Sequence, residues 1–267
     1  MKRKYIRNKN FCIGLGIVVF LFVMMFISLF YTPYPPDAMD TANAFAVPSA
    51  KHLLGTDNFG RDILSRLMTG SQTAFFVGIG AVTIGLSAGL LLGSVSGYFG
   101  GWIDEIVMRL MDTKMAFPGV ILALVLITVF GSGALNTAIA LGIMSIPKFC
   151  RVTRSGFMQI KQLEYIKAAR SRGASRFRIM VLHILPNISS SLIVTATLGF
   201  SGAVLSEGGL GIQPPTASWG KMLYEAQAYL TTNPFYAVVP GIMITIMVLG
   251  FNLLGDGLRD LTERQGN

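Results

Sequence analysis

The chain has 267 residues, of which 52% are apolar and only 13% charged, with a formal charge of +9. That is about half the charge of an average soluble domain, so the polar surface is too small to solvate a water-soluble globule. Nucleic-acid binding is disfavoured because the basic residues cluster beside long apolar runs and no groove-reading motif accompanies them. Two cysteines, Cys12 and Cys150, and two histidines, His52 and His183, are too scattered for a metal-ligand spacing.

A spanning helix takes about 20 mostly apolar residues. The first candidate covers about residues 11–31, behind five basic residues in the first ten (Lys2, Arg3, Lys4, Arg7 and Lys9). Its length and the lack of a small-x-small site point to a retained anchor rather than a cleaved signal. A polar loop, 32–70, follows. Further spans are expected at about 71–98, 115–130, 134–149, 179–206 and 234–255. A short loop with Asp104, Glu105, Arg109 and Asp112 at helical spacing separates the second and third spans, and a basic segment, 151–178, separates the fourth and fifth. The expected fold is all-α, a single membrane domain over 1–267 with six spans. With the N-terminus inside, 18 Lys and Arg lie on the inner side and four (Lys51, Arg61, Arg66 and Lys221) outside, which places both termini in the cytoplasm.

No Asp, Glu, Lys or Arg occurs between Arg66 and Asp104, between Lys114 and Lys148, or between Glu225 and Asp256. Self-powered carriers and pumps keep such groups at membrane depth, so the energy source is expected in a partner. Paired carboxylates, nucleophile–base pairs and metal clusters are missing from the spans as well, so neither a catalytic nor a metal-binding residue is expected. Uncharged polar residues, among them Gln72, Thr73, Thr128, Asn136, Ser189, Ser190 and Thr195, suit a path that passes substrate without holding it. Gly85, Gly89, Gly93 and Gly97 recur every fourth residue, with Ala81 extending the row, which lets two helix backbones approach closely. Internal packing is the favoured use, with a subunit interface second.

In the basic segment, Glu164, Tyr165, Lys167, Ala168, Ala169, Arg170 and Arg172 favour a helix that Gly173 ends in a left-handed turn. Ala174 follows, and Ser175 caps the next helix, which continues through Leu185 and Pro186 into the fifth span. This loop resembles the signature (EAA) loop of ABC importer permeases. Two outer stretches, Gly55-Thr56-Asp57 with Gly60-Arg61-Asp62, and Pro214-Pro215 with Trp219-Gly220, narrow the resemblance to the second, C-type permease of the dipeptide, oligopeptide and nickel branch. The matches run from about Leu54 to Asp260 in family order, with Lys167 in the place of the usual Glu and a segment, Glu207–Ile212, that reads short.

The resemblance implies a type I importer permease fold in a prokaryotic inner membrane. It also implies a homologous second permease, two cytoplasmic ATPases that use ATP and Mg, and an extracytoplasmic binding protein, with no cofactor held by this chain. The basic loop is then the coupling helix that docks on an ATPase. Peptides are the expected substrate, with nickel or a metal chelate as the alternative and a self-contained carrier or channel as the rival class. For the outer stretches, Asp57, Arg61 and Asp62 are expected to serve loop architecture, and Trp219 to anchor at the membrane interface.

Overall fold

The structure, a computed structural model, describes residues 8–208, 212 and 216–263. The described chain is helical, with a single isolated bridge between Thr56 and Asp62 as its one β feature. The helices are α1 (Lys9–Ser28), α2 (Ile63–Phe99), α3 (Gly101–Ala116), α4 (Gly119–Phe130) and α5 (Ala134–Ile160), followed by α6 (Glu164–Ser171), α7 (Arg176–Glu207), α8 (Trp219–Ala226) and α9 (Phe235–Glu263). Within α7, Ile179–Ile184 form a π-helical stretch between two α-helical parts. Among the described residues, α1, α2, α7 and α9 are long and apolar enough to cross a membrane, and α3 and α4 are so only when taken together as one bent span.

The centre is a close pair. The small-residue row of α2 faces α5: a Cβ on Gly89 would stand 2.9 Å from the Cys150 amide, and one on Gly97 2.7 Å from the Arg154 carbonyl. Gly85 meets Ser145 and Phe149, and Gly93 meets Cys150 and Thr153. The row therefore packs inside the chain.

Residue numbers rise together along the two helices, so α2 and α5 are parallel. Parallel neighbours require the chain to return between them. That return is α3 and α4, two short helices bent by 94° at Phe117-Pro118. Asp104 and Asp112 of α3 meet Arg154 and Arg151 of α5, and Gly119 at the start of α4 lies against Met144. Helix α7 then runs antiparallel to α2, with Ile188 against Gly156 and Phe200 against Gly78. Helix α9 returns parallel to α2, its Phe251 ring stacked on Phe200 at 3.9 Å. Helix α1 lies antiparallel to α9, where Gly14 meets Leu253 and Gly250. Six crossings follow, and the two ends of the described chain meet: the Asn8 side chain donates to the Asp260 carboxylate at 3.2 Å.

Several expected boundaries move. Helix α2 starts at Ile63 rather than 71, because the Asp62 carboxylate caps it by accepting from the Ser65 amide at 2.8 Å. Arg66, taken for a loop residue, is buried in its first turn. The stretch from Phe99 to Lys114 is helix α3 rather than a loop. Helix α5 continues to Ile160 instead of ending at 149, since ion pairs satisfy its basic residues, and α9 runs on past 255 to Glu263.

Leucine at Gly89 should overpack the α2–α5 contact and cost about 1–3 kcal/mol. Leucine at Gly16, where nothing lies within 4 Å, should be neutral. Thermal unfolding in detergent should show a lowered midpoint for Gly89→Leu alone.

Candidate functional site

At one end of the bundle lies the basic segment. Helix α6 is amphipathic over only eight residues, with one buried side chain, Ile166, 4% exposed. Ile166 packs into a cluster with Tyr98, Phe157, Ile179, Ile184 and Ile188, contributed by α2, α5 and α7. Arg170 adds a hydrogen bond to the Tyr98 hydroxyl at 3.2 Å, and Asn187 donates to the Tyr165 hydroxyl at 3.3 Å. The remaining residues of the segment point outwards. Glu164, Tyr165, Lys167, Ala168, Arg170, Arg172 and Ser175 are exposed, while Ala169 and Ala174 are half-buried.

The segment ends as its residues dictate. Gly173 has φ +83°, its amide returning to the Arg170 carbonyl at 3.0 Å, while the Ala174 amide reaches the Ala169 carbonyl at 3.1 Å. The Ser175 hydroxyl accepts from the Arg178 amide. Lys167 forms an exposed ion pair with Glu164 at 2.7 Å, so its charge is answered within α6. The whole is a small platform fixed on its inner side and open on its outer side. Because α7 begins at Arg176, immediately after the turn, the platform is joined to a membrane-crossing helix without an intervening loop.

The opposite end is closed by buried charge. Arg61 is 1% exposed; its Nε donates to Asp57 at 2.6 Å, and its terminal nitrogen reaches Glu225 of α8 at 3.3 Å. Arg66 pairs with Asp37 at 3.1 Å, and His52 meets Asp62 at 3.0 Å. Gly55 and Gly60, with φ +76° and +73°, make the turns, and the Gly60 turn leaves no room for a Cβ beside Asp40. Thr56 locks the loop by hydrogen bonds to Ala46 and Asn43. These residues fold the 32–62 segment down onto α2, α8 and α9.

Trp219 is not an interfacial anchor. It is fully buried, its indole N–H donates to the Leu67 carbonyl at 2.7 Å, and its ring fills the space left by Gly70. Gly220 packs directly on Gly208, and the Ser218 hydroxyl donates to the buried Glu207 carboxylate, joining the end of α7 to the start of α8. Pro214 and Pro215 lie outside the described residues, as do residues 209–211 of the segment that reads short.

Sequence reasoning missed Asp37, His52, Glu207 and Glu225. Asp62 with Ser65 three residues on was a legible N-cap; the four missed residues have distant partners and carry no local signal. Of the uncharged polar residues, several do structural work: Gln72 donates to Ser28, Thr73 to the Ala217 carbonyl, and Asn136 to the Phe130 and Gly131 carbonyls.

Comparison with known proteins follows the same outline. A family model described as "binding-protein-dependent transport system inner membrane component" matches residues 89–265, which include α6 and its turn. The chain belongs to this family. A second model, the N-terminal transmembrane domain of oligopeptide transport permease C, matches residues 1–48. Among the chain's relatives, the glutathione transport system permease protein GsiD of Pectobacterium atrosepticum is 40% identical, over 98% of this chain and 89% of the relative. The dipeptide transport system permease protein DppC of Alkalihalophilus pseudofirmus is 38% identical, over 96% and 86%. The di/tripeptide permease DppC of Pseudomonas aeruginosa is 39% identical, over 98% and 90%. The fold is also that of a chain of the MetNI methionine ABC transporter in inward-facing conformations, with TM-score 0.55 and 21% identity over 71% of this chain and 91% of that one.

Removing one partner of the buried Arg61–Asp57 pair should be costly. Arg61→Met leaves the Asp57 carboxylate, 0% exposed, with only the longer ion pair to Arg66 at 3.7 Å and should destabilise by about 3 kcal/mol, measured as a lowered unfolding midpoint in detergent. Lys167→Ala removes only an exposed pair and should leave the midpoint unchanged.

Proposed function

We propose that the chain is one of two homologous permease subunits of an ATP-driven peptide importer, and that α6 is the surface on which an ATPase subunit docks. The observation that carries this reading is the platform itself. Ile166 fixes α6 to the bundle while its cationic and small residues stay open, and the Gly173 turn passes directly into α7. A closing partner that pushes on α6 would load α7 through that turn. The reorientation of α7 against α2 and α5 is then the step of alternating access.

In this reading the end that carries α6 is cytoplasmic, as are the ends of α1 and α9 that meet through Asn8 and Asp260, in keeping with the 18-to-4 distribution of basic residues. The chain performs no chemistry of its own, and ATP with Mg belongs to the partner ATPases. The buried-charge end faces outwards, towards a substrate-binding protein. Peptides are favoured over nickel or a metal chelate, because the relatives named above are peptide and glutathione permeases. Family membership sets the self-contained carrier aside.

The test is to express the chain with its native neighbours, tag it, solubilise gently and identify what co-purifies. A second permease and an ATPase should be recovered. Gly173→Val, which forces a β-branched residue into a left-handed conformation costing about 1–2 kcal/mol, should lose the ATPase, and Arg170→Ala should weaken it. The permease pair should persist in both. A chain that purifies alone and moves peptides in liposomes without ATP overturns the proposal.

A further inference from the structure

The cations of α5 fall into two groups. Arg151 meets Asp112 at 2.5 Å, Arg154 meets Asp104 at 2.5 Å, and Lys161 donates to the Gly97 carbonyl at 2.7 Å. Lys148, one turn earlier, makes no ion pair or side-chain hydrogen bond among the described residues. It is not at the end of the helix, as its position beside a basic segment suggested. With α5 running from Ala134 to Ile160, Lys148 lies about 20 Å from either end at about 1.5 Å per residue.

Lys148 is exposed in this chain, and a charge within a membrane bundle is found facing protein or a water-filled path rather than lipid. Lys148 lines a cavity of about 220 Å³ between α2, α5 and α7, together with Ser145, Leu198, Gly202 and Ser206. No carboxylate lines it. Gly202 has nothing within 4 Å of where its Cβ would be, so the α7 wall is low there. Met144 also borders a second cavity of about 200 Å³, where Lys114 and Pro147 stand. Lys114 likewise has no ion pair among the described residues. Two ammonium groups with no ion pair among the described residues thus flank Met144 on one side of the bundle, while Asp104 and Asp112 of α3 are engaged by Arg154 and Arg151. Excess positive charge in a low-dielectric cleft concentrates anions.

We infer that Lys148, with Lys114 beyond Met144, meets the carboxylate of a passing peptide and biases translocation towards peptides of net negative charge. This rests on the peptide-importer reading and adds the charge preference of the path to it.

The experiment uses the complete importer with its binding protein in proteoliposomes, the binding protein being saturated with glutamyl-glutamate or with alanyl-alanine. The readout is the ratio of their ATP-dependent uptake rates. Lys148→Gln should lower the acidic-to-neutral ratio about tenfold, as expected for removing one partner of a partly desolvated charge contact. Lys148→Arg should hold the ratio near wild type. Lys114→Gln, the variant to rely on if Lys148→Gln fails to assemble, should lower it about threefold. An unchanged ratio in the assembled Gln variants, with both rates falling together or neither, overturns the role of the lysines and leaves the importer reading intact. A wild-type complex that imports neither peptide overturns the peptide reading and this inference with it.

Discussion

The close contact between α2 and α5 sets the rest of the architecture. Gly89, Gly93 and Gly97 let the α2 backbone meet that of α5, with Gly85 receiving Ser145 and Phe149, and the meeting is parallel. A parallel pair cannot be joined by a short turn, so the chain must climb back through α3 and α4, and the acids of α3 find their partners on α5 during that climb. Helices α7 and α9 then pack on the remaining sides through the aromatic contacts of Phe75, Phe200 and Phe251. In a membrane, where lipid is as apolar as a leucine side chain, backbone proximity of this kind does the work that hydrophobic burial does in water.

The two ends of the bundle use charge in opposite ways. At the α6 end, basic side chains stay at the surface and one isoleucine provides the anchor, which suits a surface that must engage and release. At the other end, Arg61, Arg66, Asp57 and Asp62 are almost fully buried, and the long 32–62 segment becomes a fixed cover. Buried ion pairs contribute little net stability compared with apolar packing, but they admit few alternative arrangements. The same residue types thus give an adaptable face at one end and a rigid one at the other.

Local signals were legible in the residues, and distant partnerships were not. Gly173 and Ser175 announce a helix stop and start by their own conformational and hydrogen-bonding preferences, and the four-residue glycine period announces close packing. The true start of α2 was hidden because Arg66 reads as a loop residue until Asp37, 29 positions away, is seen beside it. Helix α5 reads as ending at Phe149 until Asp104 and Asp112 answer its arginines. Trp219 reads as an interfacial residue because tryptophan often is one; the space beside Gly70 that receives it belongs to another helix. The membrane class follows from apolar runs that need no partner to be recognised.

The break at Phe117-Pro118 has a consequence for how the bundle sits among its neighbours. A proline and a right-angle bend interrupt the helical ladder, so amide and carbonyl groups on either side of it lose their ordinary partners. Hydrocarbon offers them none, and an irregular backbone at membrane depth is tolerated only against protein or water. Where the break lies within the bilayer, protein or water must therefore cover it. Helix α1 has no such break, and its Phe20, Phe22 and Phe26 form an exposed apolar wall suited to acyl chains.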